Sequence, residues 1–290
     1  SSQPSHPIHG SRRDKISSLL LSCSVLISIV GAQNTALSML LFSVALSGLS
    51  KNTSKADFIA GIAMGLWLFK PQYGLIAISF CCLLRRPWFL AGAAVSGASC
   101  YLLGSQVMGW AWPLKWAEFA QAFGALNYTL NEHQMISAFG AAKAVSHSLS
   151  LNGSLEAVLL AIALVVSGLV FLKTGQLFLH AGNETDSDRR SLKTQLAVLS
   201  LAPAIVIIAP QTLFYDIGIC LLAVARFVAL KSDKQTNTLF GFFVLASAIS
   251  VLRFYRGLPL LFTLSIASYL FVLSGIRSEI QRISSSSQAT

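Results

Sequence analysis

Isolated polar residues interrupt the apolar stretches of this chain, and their types could support proton transfer and anion binding. Asp216 is a carboxylate that could take up or release a proton. Lys70 lies in an apolar stretch directly before Pro71, and a charge at the centre of a membrane helix costs about 2.5 to 3.5 kcal/mol. The amides of Asn34 and Gln72 both donate and accept hydrogen bonds. Together these groups could move a proton, bind an anion and hold hydroxyl groups.

Two further groups of polar residues are candidates for the same site. Arg253 and Arg256 flank a turn and could bind a phosphate. Gln33 precedes Asn34, and His133 and Gln134 follow each other in a long loop. Each candidate also has a structural interpretation, which is helix capping for the amides, contact with lipid headgroups for the cations and a helix N-terminal charge for Asp216.

The composition indicates the kind of element that must position these residues. The chain has 290 residues, of which 54% are hydrophobic and only 11% charged, with a mean hydropathy of +0.66. Soluble domains carry about 25% charged residues. We therefore expect an all-α, polytopic transmembrane bundle that forms a single domain over residues 1–290. The net charge of +10 comes from loops between apolar runs, so we do not expect a nucleic-acid partner.

Ten apolar runs bounded by charged residues, proline or glycine are candidate membrane spans. They cover residues 16–30, 34–50, 56–69, 72–84, 87–109, 154–179, 194–209, 212–230, 238–252 and 258–276. Two of them have the length needed to cross a bilayer with some tilt, and several are shorter than the roughly 20 residues that a bilayer core requires.

The distribution of Lys and Arg predicts the orientation of these spans. One set of alternate loops holds Arg12, Arg13, Lys15, Lys51, Lys55, Arg85, Arg86, Arg189, Arg190, Lys193, Lys231, Lys234, Arg277 and Arg282. The opposite set holds only Lys70, Lys115, Lys143, Arg253 and Arg256. The first set and both termini are therefore predicted to be cytoplasmic. The candidate site residues then share the outer face of the cell membrane.

The longest outer loop, residues 110–153, contains aromatic residues at helical spacing. Trp112, Trp116, Phe119 and Phe123 lie on one side of this predicted helix. This pattern predicts an amphipathic helix at the membrane interface. The helix could be an anchor, or it could contact a lipid substrate directly.

Two sequence segments resemble glycosyltransferase family 87, the polyprenol-phosphate-mannose-dependent mannosyltransferases of the GT-C superclass. The segments are Gly31-Ala32-Gln33-Asn34-Thr35-Ala36-Leu37 and the run AGIAMGLWLFKPQYGLIAISFCCLLRRPW from Ala60 to Trp88. Weaker similarities are Gln134 with Ser137, and Tyr215 with Asp216.

The resemblance implies transfer of a hexose, usually mannose, from a polyprenyl-phosphate carrier to a glycan or glycolipid acceptor at the outer membrane face. It implies a GT-C-like fold and substrate contacts from Gln33, Asn34, Lys70, Gln72, His133, Gln134, Tyr215, Arg253 and Arg256. We expect neither a cofactor nor a metal. The family's presumed catalytic aspartate lies in a first outer loop that has no counterpart before Gly31. We therefore expect that an N-terminal part is missing and that Asp216 is the best remaining carboxylate.

Two other functions are compatible with the sequence. Broken helices and polar residues inside membrane spans also occur in transporters and lipid flippases, although their breaks lie near the midplane and the chain often shows an inverted repeat. A catalytically inactive fragment of the transferase is the third possibility.

Overall fold

The computed structural model describes residues 34–131, 134–231, 238, 241, 244, 245 and 260–286. Its regular elements are α-helices with short 3-10 turns, and the β-type pairing within these residues is one isolated antiparallel bridge between Met135 and Leu213. The prediction of an all-α fold is confirmed. The predicted span at 16–30 lies outside the described residues, as does most of the one at 238–252.

The described residues form ten α-helices, of which eight overlap predicted apolar runs and two lie inside the predicted loop 110–153. They are α1 (Thr35–Leu49), α2 (Ser54–Leu66), α3 (Pro71–Cys82), α4 (Pro87–Met108), α5 (Trp112–Asn131), α6 (Ala138–Ser148), α7 (Gly153–Gly182), α8 (Ser187–Ile208), α9 (Ile217–Lys231) and α10 (Leu260–Ser286). The 3-10 turn Trp67–Phe69 extends α2, and the 3-10 turn Phe214–Asp216 precedes α9. Of the described helices, α4, α7 and α8 are long and apolar enough to cross a membrane. Ten spans and the location of the termini stay predictions.

Helix α8 forms the centre of the bundle, and it begins earlier than its apolar run predicts. The side chain of Asp186 accepts a hydrogen bond from the backbone N–H of Arg189 at 2.8 Å, which caps the helix at its N-terminus. The polar residues that follow are therefore helical. Residues 196–207 are buried and pack against α7, α9 and α10.

The contacts between loops divide the bundle into two ends. One end contains Leu84 and Arg86, and we call it the Arg86 end. There Ser191 Oγ donates to the Ser50 carbonyl at 2.5 Å, and Arg190 Nη2 donates to the Leu84 carbonyl at 3.2 Å. At the Asp216 end, Thr35 Oγ1 donates to Asp216. The loops predicted to share the cytoplasmic side thus lie together at one end. The compartment that each end faces stays a prediction.

Glycines allow α2 and α4 to pack with their backbones close together. A Cβ on Gly61 would clash with the Phe89 carbonyl and would lie 2.9 Å from the Ala93 nitrogen. A Cβ on Gly92 would clash with the Phe58 carbonyl and would lie 2.9 Å from the Ile62 nitrogen. Small residues at helix interfaces serve this purpose in membranes.

We expect Gly92→Ala to destabilise the protein by about 1–3 kcal/mol, since the added methyl meets backbone atoms that cannot move independently of the helix. The thermal unfolding midpoint of the purified protein measures this effect. Gly168→Ala is the matched control because nothing lies within 4 Å of the Cβ that this substitution adds. The control should leave the midpoint unchanged or raise it, because alanine favours helix. Equal midpoints for both variants would show that α2 and α4 are not in close backbone contact.

Candidate active site

Three side chains that are distant from Asp216 in the sequence meet at its carboxylate. Thr35 Oγ1 donates to Oδ1 at 2.8 Å, and Lys70 Nζ donates to the same oxygen at 2.6 Å. Tyr73 donates its hydroxyl hydrogen to Oδ2 at 2.7 Å. Thr35, Tyr73 and Asp216 are buried. The carboxylate is therefore held by three donors in an environment with little access to solvent.

Lys70 occupies the break between the 3-10 turn and α3. Its backbone dihedrals, φ −113° and ψ 83°, are not helical, and Pro71 begins α3 at the first helical position. Proline suits this position because it has no N–H and a fixed φ. The Lys70 carbonyl accepts hydrogen bonds from the backbone nitrogens of Tyr73 at 2.8 Å and Gly74 at 3.0 Å. The helix start thus fixes Lys70 and Tyr73 relative to each other.

Aromatic rings surround the ammonium group of Lys70. Its nitrogen lies 4.9 Å from the ring centroid of Tyr73 and 5.6 Å from that of Tyr215. Both distances are within the range of cation–π attraction. Trp67 packs edge-on against Tyr73, with ring centroids 6.1 Å apart. The lysine is therefore confined by a carboxylate and by aromatic faces.

Because the ion pair between Lys70 and Asp216 is buried, loss of either partner is expected to cost much stability. The side chain of Lys70 is 12% exposed and that of Asp216 is 3% exposed. Removing one partner of such a pair leaves an uncompensated charge in the interior. The alternative interpretation of Lys70 as a residue reaching for lipid headgroups does not fit this geometry. A helix N-terminal charge, the structural interpretation of Asp216, does fit, because the 3-10 turn directly precedes α9.

The carboxylate keeps some capacity to accept a further hydrogen. An ionised carboxylate has about four lone-pair positions. Thr35 and Lys70 use two positions on Oδ1, and Tyr73 uses one on Oδ2. A hydroxyl group could still donate to Oδ2 of Asp216. The remaining position is compatible with acid–base chemistry as well as with a purely electrostatic role.

A backbone contact holds the segment before α6 against the segment before Asp216. The Ile136 nitrogen donates to the Thr212 carbonyl at 2.8 Å, and Ser137 Oγ donates to the Pro210 carbonyl at 2.9 Å. Ser137 also caps α6 by accepting from the Gly140 nitrogen at 3.1 Å. These contacts bring residues 134–137 next to residues 210–213, so Gln134 lies at the Asp216 end.

Of the remaining predicted residues, some are described by the structure and the others lie outside its described part. Asn34 is exposed next to Thr35, and its side chain does not cap α1. Gln72 lies half-buried in the first turn of α3, and Tyr215 lies half-buried with its ring 5.4 Å from that of Phe214. Four predicted residues lie outside the described part of the chain, namely Gln33, His133, Arg253 and Arg256.

Thr35 and Tyr73 are the residues that sequence reasoning missed. Thr35 is 181 positions from Asp216 and Tyr73 is 143 positions from it. A hydroxyl residue directly after Gln33-Asn34 and a tyrosine one turn after Lys70 were the available signals. Neither signal distinguishes a site residue from an ordinary core residue.

The described residues contain no group of three or more His, Cys, Asp or Glu side chains placed to hold a metal ion. Lys70 already neutralises the carboxylate of Asp216. The contacts of the described site thus consist of an ion pair, two hydroxyl groups and aromatic rings. Such groups can bind a phosphate and a hydroxyl-rich ligand.

Comparison with known protein families identifies a match for much of the chain. The sequence model of glycosyltransferase family 87 matches residues 12–199. The matched region includes Thr35, Lys70 and Tyr73, whereas Asp216 follows it. No curated protein and no solved structure matches the chain significantly.

Proposed function

The chain belongs to glycosyltransferase family 87, and we propose that it transfers a hexose, mannose in the first instance, from a polyprenyl-phosphate carrier. The family match over residues 12–199 is the observation that carries this proposal, because it implies a membrane glycosyltransferase. The acceptor in this proposal is a glycan or glycolipid at the outer face of the cell membrane. No sugar nucleotide is available outside the cytoplasm, so a lipid-linked donor meets the chemical requirement there.

The reaction exchanges one glycosidic bond for another. An acceptor hydroxyl attacks the anomeric carbon of the sugar, and the bond between that carbon and the phosphate oxygen breaks. The polyprenyl phosphate departs with the electron pair, while the acceptor proton passes to a base. The enzyme must therefore provide positive charge at the phosphate and a proton acceptor near the incoming hydroxyl.

Lys70 is the residue that we propose to bind the donor phosphate. Its ammonium group has three N–H donors, of which one contacts Asp216. Confinement by Asp216 and by the rings of Tyr73 and Tyr215 holds the charge in place before the ligand arrives. A preorganised charge costs no reorganisation during the reaction. In the same proposal, Arg253 and Arg256 add positive charge around the phosphate.

Asp216 has one of two roles in this proposal. As a base it would use the remaining lone pair on Oδ2 to accept the acceptor proton. As a counter-ion it would hold Lys70 and Tyr73 in position through the contacts that it already makes. The first role is our proposal for this residue, and the second is a positioning role that a substitution can distinguish from it.

Polar residues around this pair would bind the sugar hydroxyls. Asn34 is exposed beside Thr35, and Gln72 lies between Lys70 and Tyr73 in the chain. Gln33, His133, Gln134 and Tyr215 complete the proposed substrate-binding set. Amides suit sugar hydroxyls because they offer both donors and an acceptor.

Helix α5 is proposed to lie at the outer membrane surface. Three of its aromatic side chains are exposed, Trp116 by 40%, Phe119 by 64% and Phe123 by 46%. Exposed aromatic residues on an amphipathic helix favour the headgroup region. In this position α5 would border the membrane from which the lipid-linked donor arrives.

A transfer assay tests the proposed function. Vesicles that contain the chain receive labelled mannosyl polyprenyl phosphate, membrane glycolipids and a labelled soluble sugar, and the label in each lipid, in each leaflet and in the vesicle lumen is then measured. We expect the label to move to a glycolipid and polyprenyl phosphate to accumulate in equal amount. Movement of the intact donor between leaflets without transfer would support a flippase, and solute uptake without transfer would support a transporter. Either outcome would overturn the proposal.

A further inference from the structure

A cavity of about 610 Å³ lies between α7, α8 and α10. Leu196, Leu270, Leu273 and Ile276 form much of its lining, and Lys173 and His180 also line it. Its volume is typical of a small-molecule site. The lining of the cavity thus combines an apolar wall with a small number of polar groups. We call it the Lys173 cavity.

Lys173 is the only lysine or arginine of the 30-residue apolar helix α7. It is exposed on the same helix face as Gln176 and His180, and its ammonium group donates to Gln176 Oε1 at 3.2 Å. An ionisable residue in a membrane helix is costly and needs a partner or access to the interface. The amide of Gln176 is uncharged, so it does not compensate the charge of Lys173.

Lys193 is the other lysine that lines the cavity, and its charge is compensated by Glu184 outside the cavity. The ammonium group of Lys193 forms an ion pair with Glu184, and this hydrogen bond lowers the pKa of the Glu184 carboxyl. A second cavity of about 460 Å³ adjoins this pair and shares His180 and Lys193 with the first. Among the described residues that line the cavity, the uncompensated positive charge is therefore that of Lys173.

His180 contributes a specific hydrogen-bonding group. Its Nδ1 lies 2.6 Å from the Gln176 carbonyl, which can only accept, so Nδ1 carries the hydrogen. Nε2 is the ring nitrogen left for a ligand, and it can accept a hydrogen bond from a hydroxyl group. Lys173 and His180 are two helical turns apart on the same face, so they could contact different parts of one headgroup.

The Lys173 cavity is separate from the Asp216 site. A Cβ on Gly182, at the end of α7, would lie 3.2 Å from the Cα atom of Leu84, which places this end of α7 at the Arg86 end of the bundle. Lys173 precedes Gly182 by nine residues, or about 14 Å of helix. A ligand in this cavity would therefore not be the sugar donor bound beside Asp216.

We propose that the Lys173 cavity binds an anionic phospholipid with a hydroxyl-bearing headgroup. The phosphate contacts Lys173, a headgroup hydroxyl donates to Nε2 of His180, and an acyl chain covers Leu196, Leu270 and Leu273. A free inorganic anion would leave this apolar wall uncovered, which is why we favour a lipid. Basic pockets between helices near the cytoplasmic membrane surface bind anionic headgroups in this manner.

Native mass spectrometry of the full chain tests this proposal. The protein is purified in detergent and mixed with phosphatidylglycerol, phosphatidylcholine or inorganic phosphate, and retained molecules are counted over a concentration series. We expect retention of one phosphatidylglycerol in preference to phosphatidylcholine. Lys173→Gln should weaken this retention about fivefold, the effect of one basic residue at a membrane surface. Ser274 also lines the cavity, so Ser274→Trp should weaken retention by filling the cavity while leaving every charge in place.

Lys51→Gln is the matched control, because Lys51 is an exposed lysine at the Arg86 end outside this cavity. We expect Lys51→Gln to retain phosphatidylglycerol like the original protein. The proposal is wrong if Lys173→Gln and Ser274→Trp both retain phosphatidylglycerol unchanged, or if inorganic phosphate binds the site as tightly as the lipid, since the apolar wall would then contribute nothing. Preserved thermal unfolding midpoints in both variants exclude misfolding as the cause of a loss.

Discussion

Replacing Lys70 by methionine will reduce sugar transfer by about a hundredfold or more. The substitution removes the positive charge that we propose to face the departing phosphate, and loss of one preorganised donor to a developing charge costs about 10²–10³ in rate. It also leaves Asp216 buried with Thr35 and Tyr73 as donors but without a cation. Initial rates of mannose transfer in reconstituted vesicles measure the effect.

The same substitution should also lower stability, so activity and folding must be separated. Breaking a buried ion pair on one side costs about 3–5 kcal/mol. Lys70→Met combined with Asp216→Asn removes both charges and should recover much of the lost stability. We expect this double variant to unfold near the original temperature and still fail to transfer sugar. Recovered transfer in the double variant would contradict both the phosphate contact proposed for Lys70 and the base role proposed for Asp216.

Asp216→Asn alone distinguishes the two roles proposed for Asp216. A base role requires a carboxylate, so transfer should fall at every pH, and the Michaelis constant for the donor should change little. A positioning role predicts instead that donor binding weakens, because Lys70 is no longer held. The turnover number and the Michaelis constant, determined separately with the donor as variable substrate, distinguish these outcomes, because a base role lowers the turnover number and a positioning role raises the Michaelis constant.

Replacing Arg86 by methionine will lower the free energy of unfolding by about 3–5 kcal/mol. The side chain of Arg86 is 3% exposed, and its guanidinium group makes three hydrogen bonds. Nη1 donates to Asp57 Oδ1 at 2.7 Å and to the Leu49 carbonyl at 2.9 Å, and Nη2 donates to Thr194 Oγ1 at 3.1 Å. The substitution leaves a buried carboxylate without a cation. Thermal unfolding in detergent measures the change.

Two variants test whether the contacts of Arg86 cause this loss. Arg85→Gln removes a neighbouring positive charge that is exposed, and such surface changes usually stay within about 0.5 kcal/mol. Arg86→Lys keeps the charge but lacks the planar fork, so it should restore only part of the stability. An unfolding temperature that stays unchanged in Arg86→Met would contradict the buried network at this end.

The sequence predicted the helices and the grouping of their ends from composition and spacing. Apolar runs bounded by proline, glycine and charge correspond to most of the described helices, because a membrane-like interior requires apolar side chains and a backbone whose hydrogen bonds are satisfied within the helix. The isolated Lys70 and Asp216 were recognised individually, since each is costly in an apolar setting. Their direct contact was not predictable, because 146 residues separate them and spacing carries no information at that range.

The distribution of positive charges between loops did not reveal the structural roles of Arg86 and Lys173. Arg86 entered the count as one of two adjacent cytoplasmic arginines, although it is buried and Arg85 is exposed. Lys173 lies within a predicted span and entered neither set of loops. Which of two adjacent arginines turns inward depends on the packing of α2 and α8 against the start of α4, and this packing is a tertiary property.

The sidedness of the Asp216 end is the central claim of the proposed function, since lipid-linked sugars are presented outside the cytoplasm. Labelling of Asn34→Cys on intact cells with a membrane-impermeant thiol reagent tests it most directly, because Asn34 is exposed beside the site. Lys51→Cys, at the Arg86 end, and the parent protein with its native cysteines are the controls. We predict that Asn34→Cys reacts before permeabilisation and Lys51→Cys only after it. The reverse order would contradict sugar transfer at the outer face.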